Sequence, residues 1–410
     1  MYTVKDRFWK YVQIDTQADP FSESIPSTAK QLNLSKVLSK ELSSMGIDHE
    51  LSKEGYIYAN IPSNSPKADI PKIFFCAHVD TAYDASGTNV KPILHPDYQG
   101  ENITLPDDPA QQITPEKFPE LKDKIGHDLI TASGLTLLGA DDKSGVAVIM
   151  DAAYQLVNRP DIKHGDVKLF FTTDEEIGRG VKYADLNKID ADYGYTLDSG
   201  NLGSFEYENF SANGFEIKIT GTTAHPGYAK GKMENALKIA SEIIARIPKD
   251  RLSPETTSGK EGFIHPHKID GKMESASIQF IIRDFDTTLL AEHEALLQKI
   301  TDEVMKDYPN SKSESISTEQ YRNMKDILDQ NIHVVDHALE AMKNLDLPIK
   351  VGAIRGGTDG AVLSHKGLPC PNLFSGQHGI HSKLEWTTVQ EMQSAVDTVV
   401  EICKIVEQKA

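Results

Sequence analysis

The sequence predicts an α/β protein: a mixed sheet covered by helices, interrupted by a smaller two-layer α+β domain of βαββαβ order. Three observations predict it. Ile73-Phe74-Phe75-Cys76-Ala77 is apolar on both faces, which suits a strand in the middle of a helix-covered sheet. Strand-like and helix-like patterns alternate from about Lys72 to Leu197, with polar clusters where the apolar runs end. Near Glu208 the pattern changes, and Phe215, Ile217 and Ile219 alternate with Glu216, Lys218 and Thr220, as in a strand with one wet face.

Composition bounds the possibilities. A chain of 410 residues is too long for one ordinary core, so two domains are expected. Its net charge of -18 argues against nucleic acid, since no Lys/Arg excess exists to displace counterions. Lys5, Asp6, Arg7 and Lys10 leave no apolar core for a signal peptide. Nothing approaches the run of about 20 apolar residues that a membrane span needs. Cys76, Cys370 and Cys403 are too few and too scattered for a disulfide framework or a thiolate site. The expectation is a cytoplasmic protein without membrane or nucleic-acid partners.

In chain order, Thr3 to Ile14 has helical spacing with Thr3 and Asp6 placed to cap it, and a second helix runs from about Thr28 to Met45, stopping at Gly46. Strands follow at Tyr56–Ile61 and Lys72–Ala77. Asp84 to about Gly126 is rich in Pro, Asp, Asn and Gln and reads as a long loop near a site. Leu135 to Leu138 leads into Gly139-Ala140-Asp141-Asp142-Lys143-Ser144-Gly145 and the helix Val146–Val157, with strands again at Val167–Thr172 and Tyr193–Leu197. The small domain, residues 209–322, takes a strand, a helix (Met233–Ile247), two strands, a helix (Thr287–Tyr308) and a last strand near Ser313–Glu319. It is an insertion, because residues 323–410 resume the pattern of residues 1–208 and close with a helix capped by Thr388 and Glu391.

Five distant sites share one design, an apolar strand followed by an acid or a histidine. They are His78-Val79-Asp80, Asp141-Asp142, Asp174-Glu175-Glu176, Leu197-Asp198 and the late His381. A single strand-end Asp is commonly a cap or turn residue, and a run such as Asp174-Glu175-Glu176 is commonly a solvated turn. Their joint occurrence is harder to reach by accident, since strand ends of an α/β sheet converge on one crevice. His78 and Asp80 share a face of an extended segment, which lets the carboxylate hold the second ring nitrogen of a metal-binding histidine. Two imidazoles with three or four carboxylates suit zinc, manganese or cobalt better than calcium. So many acids argue for two ions sharing a bridging carboxylate, with one carboxylate left to move protons.

These residues resemble the M20 family of dinuclear metallopeptidases. The likeness also covers Gly221-Thr222-Thr223-Ala224-His225-Pro226-Gly227, Ile354-Arg355-Gly356-Gly357-Thr358-Asp359-Gly360 and His381-Ser382-Lys383-Leu384-Glu385-Trp386, and it runs in order along essentially the whole chain. What the resemblance implies is an aminopeptidase acting on tripeptides, with two Zn2+ per subunit that Co2+ or Mn2+ could replace. His78 and Asp198 would bind one ion, Glu176 and His381 the other, and Asp141 would bridge them, with a cis peptide bond after it. Asp80 would orient His78, and Glu175 would be the general base. Asp142 would shape the backbone, while Asp174 keeps the solvated-turn reading. The inserted domain would be a lid and a homodimerisation module. Its His225 would reach an active site, often that of the partner subunit, where the plain alternative is a surface histidine. Arg283 and Arg355 would hold the peptide's terminal carboxylate, the alternative being ordinary ion pairs, and Asn235 would contact substrate. His265, His267, His365 and His378 are read as structural or surface residues. A carboxypeptidase, a dipeptidase, an N-acyl-amino-acid deacylase or a non-catalytic metal-binding homologue are the competing expectations.

Overall fold

The computed structural model describes residues 3–410. It divides into a large unit (Met1–Tyr207, Met324–Gly352, Thr358–Ala410) and a small one (Glu208–Asn323, Ala353–Gly357). The first helix, Val4–Val12, starts at the expected cap: Thr3 Oγ1 accepts the Asp6 N–H, and the Asp6 carboxylate accepts the Thr3 N–H.

The main sheet has eight strands, in the spatial order Asp48–Leu51, Ile57–Ile61, Val167–Thr172, Ile73–His78, Tyr193–Ser199, Asn372–Phe374, Ser204–Asn209 and Lys350–Ile354. Four neighbours at its centre, Val167–Thr172, Ile73–His78, Tyr193–Ser199 and Asn372–Phe374, run parallel. Their C-terminal ends therefore lie along one edge, the side of an α/β sheet where sites are built. Ile73–His78 and Val167–Thr172 are buried along their whole length, so helices must cover both faces. Phe75 stacks on Tyr195, and Tyr58 on Phe170, with ring centroids 5.8 and 5.0 Å apart. The helices Val4–Val12 and Val389–Lys409 both pack against Ala140–Asn158.

The expected long loop is more structured than its composition suggests. Ile93–His95 and Leu129–Thr131 form a three-stranded sheet with Trp386–Thr388, Ile103–Thr104 pairs with Gln112–Ile113, and Pro119–Lys124 is a 3-10 turn. Strands of two or three residues carry too little alternation to be read from sequence. Tyr98, Leu105, Leu121, Leu129 and Trp386 form their common core.

The small unit has the βαββαβ order, with the sheet order Phe263–Gly271, Ser275–Asp284, Ser211–Thr220, Lys312–Tyr321. Phe215, Ile217, Ile219, Ile278, Phe280 and Ile282 pack with Ile239 and Ile243 of the helix Ala236–Ala245 and with Leu290, Leu297 and Ile300 of Thr287–Met305. Ala353–Gly357 joins this unit although it lies outside residues 209–322. The Phe210 N–H donates to Ile354 O at 3.1 Å, and Arg355 donates to Gly259 O and Glu261 O, so hydrogen bonds rather than chain order set the boundary.

Glu391 is the most heavily used buried acid of the large unit's C-terminal helix. Its carboxylate meets Lys124 Nζ and His378 Nε2 and accepts from Thr388 Oγ1 and the Leu202 N–H. Burial alone would raise its pKa, but His378 and Lys124 outweigh that and hold it at about 2. An acid depressed below its ordinary value of about 4.3 stabilises the fold above that pH, and the contribution disappears as pH falls toward the folded value. Glu391→Gln strands a buried Lys124, so a loss of about 3–5 kcal/mol at pH 7 is expected. The melting-temperature gap between the two proteins should narrow between about pH 4.5 and pH 2, and a gap independent of pH would refute the assignment.

Candidate dinuclear metal centre

Three of the five acid and histidine clusters stand where parallel strands end. His78 is the last residue of Ile73–His78 and lies opposite Thr172, the residue just before Thr173-Asp174-Glu175-Glu176. Asp198 is the penultimate residue of Tyr193–Ser199. The other two differ from the expected design. Leu135–Leu138 is not a strand, and Asp141 sits instead in the first turn of Ala140–Asn158, at a kink where Asp141 and Asp142 leave helical geometry. His381 lies on a loop beyond the strand Asn372–Phe374. Gly134 and Gly139 both hold positive φ, a left-handed backbone that an extended ladder does not use.

The structure nonetheless brings all five side chains together. His78 Nε2 lies 3.1 Å from Asp141 Oδ1 and 3.8 Å from Asp198 Oδ1. His381 Nε2 lies 3.4 Å from Asp141 Oδ2 and 2.9 Å from Glu176 Oε2. Asp141 thus turns one carboxylate oxygen toward each imidazole. Donor atoms held at about 2.0–2.2 Å from one tetrahedral ion stand roughly 3.3–3.6 Å from each other, so these separations suit two ions sharing Asp141. Glu176 Oε1 is buried with no hydrogen-bond partner, as an atom intended for a cation would be. Glu175 brings a carboxylate oxygen within 4.8 Å of His78 and Asp198. Among the described residues none hydrogen-bonds that carboxylate.

The electrostatics agree with the donor set. Burial would lower His78, but its bonds to Asp141, Asp198 and Asp80 push it well above its ordinary value. Bonds to Asp141 and Glu176 raise His381 to about 11. Burial, with the Asp141 charge beside it, raises Glu176 to about 8, and burial drives Glu175 well up. Burial also raises Asp198, with Asp141 adding to it. Asp141 alone is held low: burial opposes this, and the bonds from His381 and His78 outweigh it. A cluster in which some acids lean to the neutral form while both imidazoles hold protons is one that cations would rebalance.

The neighbours fix these groups. Asp80 lies 3.4 Å from His78 Nδ1 and accepts the N–H groups of Glu175 and Glu176, both at 3.1 Å. Asp142, joined to Asp141 by a cis peptide bond, accepts the N–H groups of His78 and Gly145 at 3.2 Å. Asp174 is no solvated turn. It is buried, and its carboxylate accepts from the Ser27 N–H, Ser27 Oγ and Gln31 Nε2, pinning the acidic loop to an N-terminal segment that sequence spacing does not connect to it. Other contacts were not foreseen. Asp84 lies 3.2 Å from His381 Nδ1, Gln377 donates to Asp198 Oδ1 at 2.9 Å, Thr172 donates to the buried Asp359, and Glu385 binds the backbone at Asp141. Asp359 and Glu385 lie inside the recognised stretches, which was the one available signal.

The expected lid and substrate residues belong to the small unit. His225 is exposed, and its Nδ1 accepts the Gly227 N–H at 3.1 Å. Asn235 caps Ala236–Ala245 by accepting the Leu237 N–H at 2.9 Å, so its side-chain oxygen already has a structural partner. Arg283 and Arg355 meet each other: Arg283 Nη1 donates to Arg355 O at 2.9 Å, and both guanidinium groups lie over Phe263. The ordinary ion pairs considered for them are not found among the described residues, because carbonyl oxygens and aromatic faces are their partners. Arg283 Nε is buried and unpartnered. His265 and His267 lie side by side, while His378 is buried against Trp386.

Comparison with known proteins bears on the family and the fold. A family profile described as a peptidase dimerisation domain matches residues 207–312. A peptidase T of Bacillus pumilus (strain SAFR-032) is 45% identical over 405 residues, covering 98% of each chain. Among solved structures, an aminopeptidase PepT from Bacillus cereus shares the fold with a TM-score of 0.76 at 23% identity, over 98% of both chains. A tripeptidase from Staphylococcus aureus does so with a TM-score of 0.77 at 22% identity, over 99% of this chain and 98% of the other. With relatives of that identity along its whole length, the chain belongs to the peptidase T family of M20 metallopeptidases.

Proposed function

We propose that the protein is a zinc-dependent aminopeptidase that removes the N-terminal residue of tripeptides. The observation that carries this reading is the placement of Asp141, with one carboxylate oxygen facing His78 and the other facing His381. The names of the relatives, peptidase T, and of the structural neighbours, an aminopeptidase and a tripeptidase, support the substrate class.

In this reading His78 and Asp198 would hold one ion, Glu176 and His381 the other, with Asp141 available to both. When bound, the two ions supply a nucleophilic hydroxide and polarise the scissile carbonyl. Glu175 takes the proton of the attacking water and passes it to the leaving amine, a task its unpaired, partly buried carboxylate and raised pKa suit. Asp80 orients His78 through Nδ1 and, by accepting the Glu175 and Glu176 N–H groups, holds the base and a ligand in register. The dimerisation-domain match supports a homodimer formed through the small unit, which would also act as a lid. We assign the partner subunit's His225 to stabilising the oxyanion of the tetrahedral intermediate. Arg283 and Arg355 would take the peptide's terminal carboxylate through bidentate pairing. Asn235 would contact substrate through its amide nitrogen. Zinc, with cobalt or manganese as substitutes, fits a set of imidazoles and carboxylates. Three unpaired, buried cysteines fit a reducing cytoplasm.

Glu175→Gln should keep both ions and lower kcat by about 10²–10⁴-fold. Near-normal turnover in a metal-loaded variant would remove Glu175 from the role of base. Free-amine tripeptides should be cleaved and their N-acetylated forms refused. Cleavage of the blocked peptides at comparable kcat/KM would point instead to a deacylase or carboxypeptidase. Chelation should abolish activity and resupplied zinc, cobalt or manganese restore it, whereas activity that survives complete chelation would rule out the metal mechanism.

A further inference from the structure

We propose that Glu385 is a positioning residue that ties the loop bearing His381 to the turn bearing Asp141, and so shapes the pocket these residues share with Glu176. The inference rests on the metal reading above and deepens it.

Glu385 is only 1% exposed, and among the described residues its carboxylate forms no direct ion pair, although the buried Lys143 stands near enough to feel its charge. Its carboxylate is spent on the main chain. Oε2 accepts the N–H groups of Leu138 and Gly139 at 2.8 and 2.7 Å, and Oε1 accepts that of Asp141 at 2.9 Å. A buried carboxylate is costly, and three charge-assisted bonds to one turn are what make it tolerable there. Those bonds fix the segment that presents Asp141 in the first turn of its helix.

The other end of the link is as firm. His378 and Trp386 exchange both main-chain hydrogen bonds, at 3.0 and 2.9 Å, and their rings stack at 3.8 Å with planes 9° apart. Trp386 is in turn paired with Thr131. Within the loop so closed, Ser382 Oγ donates to Gly379 O at 2.6 Å and accepts the Leu384 N–H at 3.1 Å. A Cβ on Gly379 would press on Leu384 O, so the loop is packed across its own width. His381 and Glu385 therefore move as one body. With His381 Nε2 3.4 Å from Asp141 Oδ2, the path Asp141–Glu385–loop–His381 closes on itself. The His78 backbone hangs on a different acceptor, Asp142.

Glutamine at 385 is nearly isosteric but offers one acceptor oxygen. If that oxygen serves Leu138 and Gly139, the amide nitrogen meets the Asp141 N–H donor to donor. Zinc titration of the metal-free full-length protein, wild type against Glu385→Gln, should show two ions bound in the wild type. In the variant the ion assigned to Asp141, Glu176 and His381 should be weakened about 10–100-fold, and the one at His78 and Asp198, which shares only Asp141 with the link, distinctly less. In the metal-loaded variant kcat should fall while KM for the same tripeptide stays. Unchanged affinities with unchanged kcat would overturn the proposal, as would an equal loss of both ions accompanied by a lowered Tm, which marks plain destabilisation. A wild type that binds no ion would instead sink the metal reading itself. A second measurement needs no variant: in the metal-free wild type the amides of Leu138, Gly139 and Asp141 should stay protected from hydrogen exchange. Fast exchange at these three, with the core still protected, would also overturn the proposal.

Discussion

The centre depends on one recurring interaction: the backbone N–H of a residue in the acid and histidine cluster is held by a side-chain acceptor from a distant segment. Asp142 holds His78, Glu385 holds Asp141, Asp80 holds Glu175 and Glu176, and Asn372 holds Asp198 at 3.1 Å. Strand ends and helix starts leave such groups without main-chain partners, and buried ones must find another acceptor. Here two of the acceptors, Asp80 and Asp142, belong to the acid and histidine clusters themselves. Removing any of them leaves a buried donor unsatisfied, and the groups are coupled enough that single losses would not add. The imidazoles and carboxylates are placed by their backbones first and by their rotamers second.

This explains what the sequence could and could not disclose. Apolar strands ending in His78, Asp174-Glu175-Glu176 and Asp198 were legible, because burial on both faces leaves a run of apolar residues and the chemistry follows at once. The small unit was legible from alternation alone. The turn before Asp141 was misread as a strand because Leu135–Leu138 is apolar, and nothing local shows that its amides go to a residue 244–247 positions away. Asp174 escaped for the same reason, since its partners Ser27 and Gln31 lie 147 and 143 positions away. Ala353–Gly357 crossed a boundary through hydrogen bonds that leave no periodic trace.

The surplus of acids over bases, visible as a net charge of -18, is not spread evenly. Some of it is neutralised in the interior, as at Glu391 with Lys124 and His378. At the centre no Arg or Lys pairs with Asp141, Glu176 or Asp198 among the described residues, and the two imidazoles, His78 and His381, are fewer than the acids they face. Repulsion of that kind destabilises an empty site and rewards a filled one, which links metal binding to the stability of the surrounding loops.

Gly145 sets the scale of the whole arrangement. A methyl group there would collide with Leu197 O on one side and with the Asp142 carboxylate on the other. The helix therefore rests directly on the strand that carries Asp198, with no side chain between them. Side-chain spacers can be lengthened or shortened by substitution, and a contact between main chains cannot. The helix works as a fixed gauge block: the gap between the Asp141 and Asp198 segments, and with it the room for ions, is measured in backbone radii.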